Sequence, residues 1–302
     1  MTTPMRIEGA WTALVTPFTE DTARIDFEAF DSLVHEQVLS GIAGLLPCGT
    51  TGETPTLSDD EQLEVIRHTV AIAGGHVPVI AGASSNSTRK TIHLAQRALQ
   101  AGVDGVMVVM PYYNKPTQEG LFAHVLAVAR EIRGAPLVVY NIPGRSVVDL
   151  SLETLMRIAD AAPNVIAVKD ATGNVLRCQS VVNRIGDRLA VMCGDDALTL
   201  PMMACGAKGV ISVTSNVFPS RVAAVCRLAR EGRWDQARAA HFALLDVHDV
   251  MFIETSPGPV KTALAHRGRM GGALRLPLVA PSATSRTRII EVINKYEHSP
   301  HT

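Results

Sequence analysis

The apolar run Val165-Ile166-Ala167-Val168 ends on a lysine, Lys169. Burial disfavours an ammonium and lowers its pKa. An ordinary lysine, of pKa about 10.4, is less than about 0.1% neutral at pH 7, and a fall of about three in pKa raises the free amine several hundred-fold. A neutral amine in an apolar pocket attacks a carbonyl to form a Schiff base, and the protonated imine then serves as an electron sink. The alternative is a plain ion pair with the adjacent Asp170 or another carboxylate. The chain has six lysines against twenty-two arginines, so each can be placed. Lys208 precedes an apolar run, Lys90 and Lys261 fall in helical segments, Lys115 in a loop and Lys295 near the C-terminus.

Three of the four tyrosines also follow apolar runs: Tyr112 and Tyr113 come after Val108-Val109-Met110-Pro111, and Tyr140 closes Leu137-Val138-Val139. A phenol within about 2.6–3.2 Å of a reacting group can relay protons as a carbinolamine forms and dehydrates. Its alternative is packing with a satisfied hydroxyl. Gly49-Thr50-Thr51-Gly52-Glu53 supplies glycines that let successive N–H groups point at one anion, or else an ordinary tight turn. In Asn141-Ile142-Pro143-Gly144-Arg145-Ser146 a guanidinium stands just beyond Tyr140, able to clamp a carboxylate bidentately or simply to face solvent.

Eight short runs rich in Val, Ile and Leu predict strands at 11–16, 44–47, 77–82, 105–110, 137–141, 165–169, 189–194 and 209–213. Helical spacing between them predicts helices at 27–39, 59–73, 88–100, 118–132 and 152–161, with Ser58, Ser87, Thr117 and Ser151 as N-caps. Strands apolar on both faces belong to buried parallel sheets, whose neighbours need crossover helices. The pattern predicts a closed α/β (β/α)8 TIM barrel over 1–218. The rival, an open doubly wound sheet, is weakened because no GxGxxG follows the first strand. Helices at 220–231, 234–251, 259–266 and 284–295 predict a C-terminal helical extension, 219–302, packed on the barrel. In such a barrel chemistry lies where strands end, which puts Lys169, Tyr140 and the GTTGE loop at one mouth.

Composition narrows the field. The 302 residues carry 28 Lys and Arg against 29 Asp and Glu, a net charge of −1, and 47% are hydrophobic. Disorder, a collagen-like repeat and an electrostatic nucleic-acid binder are excluded. Five scattered cysteines without CxxC spacing argue against a disulfide framework or zinc cluster and fit a reducing cytosol. The first residues lack an export leader and no run is long enough to span a membrane, so a cytoplasmic, membrane-free protein is expected. Ten histidines without HxH or HExxH spacing offer no mononuclear metal site.

Taken in order, GTTGE at 49–53, PYYNKP at 111–116, YNIPGRS at 140–146, VKDATGN at 168–174, CGDD at 193–196 and GVISVTSN at 209–216 closely resemble the dihydrodipicolinate synthase family of pyruvate-dependent class I aldolases. The resemblance runs from about residue 7 to 280. It implies that Lys169 forms a Schiff base with pyruvate, with no metal or organic cofactor. Tyr140 then shuttles protons, Thr50 and Tyr113 complete the relay, and Tyr113 reaches into a neighbouring subunit's site. Thr51 and Thr50 would hold the pyruvate carboxylate, with Ile211 and Gly194 beside it. Arg145 would receive the carboxylate of L-aspartate 4-semialdehyde, and Tyr112 matches an interface aromatic. The family implies a homotetramer built as a dimer of dimers.

The chain also departs from the pattern. Lysine-inhibited members carry two histidines and a glutamate where this chain has Asp59, Gln62 and Lys90, so feedback by L-lysine is expected to be weak or absent, although Asn86 and Tyr112 match other parts of that pocket. Ser256 stands where an asparagine is commoner. Rival functions are a pyruvate lyase acting on a sugar acid, which resembles this motif but typically lacks Arg145, and a catalytically idle binding protein on the same scaffold.

Overall fold

The computed structural model describes residues 5–298. Residues 1–4, on which the expectation of no leader partly rests, lie outside them, as do 299–302. The strands are β1 (Gly9–Ala13), β2 (Gly44–Leu46), β3 (Ile80–Gly82), β4 (Gly105–Val109), β5 (Leu137–Asn141), β6 (Val165–Asp170), β7 (Ala190–Cys193) and β8 (Gly209–Ser212). The helices over the first half of the chain are α1 (Phe27–Leu39), α2 (Asp59–Ala73), α3 (Thr88–Gln100), α4 (Gln118–Glu131) and the short α5 (Pro143–Ser146). They continue as α6 (Leu152–Ala161), α7 (Val175–Ile185), α8 (Thr199–Ala204), α9 (Pro219–Arg230), α10 (Trp234–Val250), α11 (Gly258–His266) and α12 (Ala283–Glu297). All paired strands are parallel, in the order β2-β1-β8-β7-β6-β5-β4-β3, and a parallel bridge between Leu45 and Val79 joins the two ends. The result is a (β/α)8 barrel followed by helices.

Strand alternation divides the core in two. Trp11, Leu46, Ile80, Met107, Val138, Ala167, Met192 and Ile211 point inward and fill the cylinder. Their neighbours Leu45, Val106, Val139, Val168 and Val210 face the helices. Gly44 makes room for the indole: a Cβ there would lie 2.4 Å from the Trp11 ring. Gly82 does the same for the GTTGE strap, because a Cβ on it would lie 1.9 Å from the Cys48 carbonyl oxygen.

The expected N-caps act as caps. Ser58 accepts from the Glu61 amide while the Glu61 carboxylate accepts from the Ser58 amide, a full capping box, and Ser87, Thr117 and Ser151 each accept from the amide three residues on. Two strands differ from expectation by more than one residue at an end. β1 starts at Gly9 and ends at Ala13, because Val15 N–H turns to Asn216 Oδ1 at 3.1 Å and Thr16 Oγ1 donates to Gly52 O at 2.8 Å. β3 is only Ile80–Gly82, since Pro78 has no N–H to give and the Val79 amide is taken by Asp104 Oδ2 at 2.8 Å. After β8, α9 packs against β1 and β8 as the eighth barrel helix; α10 packs on α9 and α12, and α11 on α12. Among the described residues no helix is long and apolar enough to cross a membrane.

Candidate active site

β5 and β6 run side by side with Tyr140 opposite Lys169 and Asn141 opposite Asp170. Strand parity sends residue 169 into the barrel and 170 outward, which settles the ion-pair alternative. The buried Asp170 is held outside by Arg177, Nε to Oδ2 at 2.9 Å, and accepts from Thr172. Lys169 makes no ion pair among the described residues, is 5% exposed, and has its Nζ 4.4 Å from the centre of the Tyr140 ring. Burial brings its pKa down to about 8, the Asp196 carboxylate and Cys193 opposing the fall and the Arg145 guanidinium assisting it. With that pKa about a tenth of the amine is neutral at pH 7.

Tyr140 is pushed up to about 12 by burial, with Arg145 and a hydrogen bond with the Thr50 side chain acting the other way. It therefore stays a phenol at neutral pH, with a proton to give. Thr50 opens a 3-10 turn, Thr50–Gly52, in which Gly52 N–H donates to Gly49 O at 3.0 Å and Glu53 N–H to Thr50 O at 3.2 Å. The amides of Thr50 and Thr51, first in the turn, donate to no acceptor among the described residues, which leaves them for an anion.

The other expected residues fall in different places. Ile211 lies inside the barrel, 1% exposed. Gly194 follows β7 where the chain runs close to β6: its N–H donates to Asp170 O at 2.8 Å, and a Cβ on it would lie 2.7 Å from that of Ala171. Arg145, on α5, is exposed and donates from Nη2 to Ser256 O at 3.1 Å. Tyr113 does not join the group. It is 87% exposed, with φ +71, a left-handed conformation costly for a tyrosine.

A cavity of about 300 Å³ opens beside the turn, walled by Gly49, Thr50, Tyr140, Met107 and Tyr112 and, further out, by Asp59, Gln62 and Lys90. Lys169 does not line it, but Tyr140 forms their common wall. Lys90 and Asp59 pair at 2.9 Å at its edge.

Two further groups emerge from the structure. Asp196, 1% exposed, accepts from the Ser212 hydroxyl and from the amides of Val213 at 2.8 Å and Thr214 at 3.3 Å, and lies near enough to oppose the fall in the Lys169 pKa. It is the second aspartate of CGDD, just past a strand end, so the rule that found Lys169 also points to it. Lys261 is the other, a second lysine whose pKa burial lowers and Glu53 opposes, but one closed in by Glu53 at 2.5 Å and without any exposed side-chain surface. No group of three or more His, Cys, Asp or Glu able to hold a metal ion occurs among the described residues.

Fold and mouth together define a (β/α)8 barrel with an amine, a phenol and free amides gathered at the strand ends. The chain belongs to the dihydrodipicolinate synthetase family, whose model matches residues 6–296. It is 58% identical over 291 residues to the 4-hydroxy-tetrahydrodipicolinate synthase of Sorangium cellulosum, covering 96% of both chains. The crystal structure of dihydrodipicolinate synthase from Aquifex aeolicus superposes with a TM-score of 0.94 at 44% identity, covering 96% of this chain and 98% of that one. The chloride-inhibited dihydrodipicolinate synthase from Acinetobacter baumannii, solved in complex with pyruvate, gives 0.94 at 37% identity over 97% and 99% of the two chains.

Proposed function

We propose that the chain condenses pyruvate with L-aspartate 4-semialdehyde to 4-hydroxy-tetrahydrodipicolinate, the first committed step toward diaminopimelate and lysine. The observation that carries this is the buried, unpaired Lys169 amine beside the Tyr140 phenol. Lys169 Nζ adds to the keto carbon of pyruvate, and the carbinolamine loses water to give an iminium. A methyl proton leaves to form the enamine, whose carbon adds to the aldehyde. The amine of the added substrate then displaces Lys169 by transimination and closes the ring. The iminium is itself the electron sink, so the proposed cycle requires no metal or organic cofactor. In it Tyr140 and Thr50 pass protons, the Thr50 and Thr51 amides hold the pyruvate carboxylate with Ile211 and Gly194 alongside, and Arg145 takes the carboxylate of the aldehyde. Borohydride reduction with pyruvate, followed by intact mass, tests it: one covalent adduct on Lys169 is expected, and no adduct would overturn it.

Arg145 separates this substrate from a sugar acid. Arg145→Ala is expected to keep the pyruvate adduct and to lower kcat/KM for the semialdehyde by about 10²-fold, the scale of a lost bidentate carboxylate contact. Equal loss of adduct would refute this division of labour, and a native chain that consumed pyruvate faster with N-acetylmannosamine would refute the substrate.

Tyr113, turned outward in a left-handed conformation, supports a homo-oligomer in which it reaches a neighbour's site, a dimer at least and a tetramer by family pattern. The five free cysteines fit a reducing, cytoplasmic setting. L-lysine is expected to inhibit weakly or not at all at sub-millimolar concentration in a steady-state assay, because the cavity edge carries Gln62 and a paired Asp59 and Lys90 instead of imidazoles and a glutamate; near-complete inhibition there would contradict it.

A further inference from the structure

Lys261 is more deeply buried than Lys169, and the proposed chemistry gives it no part. Its side chain and that of Glu53 are both wholly shut from solvent. Lys261 Nζ donates to Glu53 Oε1 at 2.5 Å and to Ala273 O at 2.8 Å, and lies 4.2 Å from the centre of the Phe18 ring. The other carboxylate oxygen of Glu53 accepts the Arg275 amide at 3.0 Å. The Arg275 guanidinium lies 4.4 Å from the centre of the same ring, and it grips Glu61 at 2.6 and 2.9 Å and Thr56 O at 3.1 Å. The segment from Glu53 to Glu61 is thus fastened from behind by α11 and the chain that follows it.

Stability alone is a poor reason for such a pair. Desolvating two charges costs several kcal/mol per ion, and apolar residues of similar volume often serve as well. Glu53 is also a non-glycine residue at φ +54, a conformation that persists only where its surroundings hold it. It comes directly after the turn whose first two amides are free. The rest of that turn is pinned by the segment after β1 and by its own loop: Gly52 O accepts from Thr16 Oγ1 and Gly49 O from Thr54 Oγ1, each at 2.8 Å. The C-terminal anchor of the turn is the Glu53 side chain. The same N-terminal end of α11 meets the second proposed binding group, since Ser256 O, two residues before the helix, accepts from Arg145.

We propose that Glu53 and Lys261 are positioning residues for the pyruvate carboxylate: α11, through Lys261, holds the left-handed turn at Glu53 that aims the Thr50 and Thr51 amides. This rests on the proposed function above. It makes the C-terminal helices part of the working site, because a helix more than 200 residues downstream sets the geometry of a loop in the second βα unit.

Two variants separate positioning from stability. Lys261→Met leaves Glu53 as an orphaned buried carboxylate and is expected to destabilise the chain as well as the loop. Glu53→Gln/Lys261→Met removes both charges together, so its thermal midpoint should stay within about 5 °C of native. Borohydride trapping is followed against pyruvate concentration and pH. In the double variant, half-maximal trapping is expected to need at least about tenfold more pyruvate, the effect of a sub-ångström misplacement of binding groups. Maximal adduct and the pH midpoint of trapping should not move, because Lys169 keeps its surroundings. A double variant with native pyruvate dependence would show the pair to be merely structural and overturn the proposal. A native chain that gave no adduct would instead bring down the proposed function.

Discussion

Lys169→Ala is expected to abolish the borohydride-trapped pyruvate adduct and to lower turnover at least about 10⁴-fold, the scale on which deleting the nucleophile of a covalent mechanism acts. The fold should survive, because the change removes a buried amine that has no ion pair to lose. Lys169→Arg is expected to be as inactive, since a guanidinium does not deprotonate in a protein. The native chain should also show the amine in its pH dependence. In the proposed cycle the free base is the nucleophile, and with the pKa lowered to about 8 trapping at limiting pyruvate should rise with pH through that value and level off above it. At pH 7 the neutral fraction, about a tenth, is about two hundred times that of an ordinary lysine. Lys261 is the internal control, its pKa also lowered by burial but its amine sealed by Glu53. An adduct that persisted in Lys169→Ala and mapped to Lys261 would refute the assignment, and a trapping rate still climbing at pH 10 would show that burial does not set the pKa.

Much of this site was legible in the sequence because it depends on local rules. Lys169 stands out by closing an apolar run, and strand alternation then decides between solvent, helices and barrel interior. The same parity excludes Asp170 as its partner, although the two are adjacent in the chain. The caps at Ser58, Ser87, Thr117 and Ser151 are legible for the same reason, each needing only the next few residues. What was not legible joins distant parts of the chain. β1 begins at Gly9 because Gly9 meets Gly209 on β8, a contact that apolar run length cannot register. The pairing of Glu53 with Lys261 spans 208 positions, and in sequence Lys261 is only a lysine on an amphipathic helix. Asp196 lies between these cases: its place after a strand is local, but the groups that hold its side chain are the Ser212 hydroxyl and two amides beyond β8.

Tyr140→Phe is expected to slow turnover by about 10²–10⁴-fold, the range for loss of a positioned proton donor, while leaving the pyruvate dependence of trapping within about threefold of native. The substitution deletes one oxygen and keeps the ring, so the face that lies 4.4 Å from Lys169 Nζ and the wall of the adjoining cavity are preserved. What goes is the hydroxyl linked to Thr50, a phenol kept protonated by burial that pushes its pKa to about 12. Such a group delivers a proton to the departing hydroxide as the carbinolamine dehydrates, and takes one back in a later step. The loss should therefore fall on kcat, with adduct forming slowly but completely under prolonged trapping. Thr50→Val, which leaves the phenol in place and removes only its hydrogen-bond partner, should have a smaller effect in the same direction. Tyr140→Phe with native turnover would remove the phenol from the mechanism. A raised pyruvate requirement at unchanged kcat would make it a binding group instead, because losing an interaction shared by ground and transition state raises KM alone.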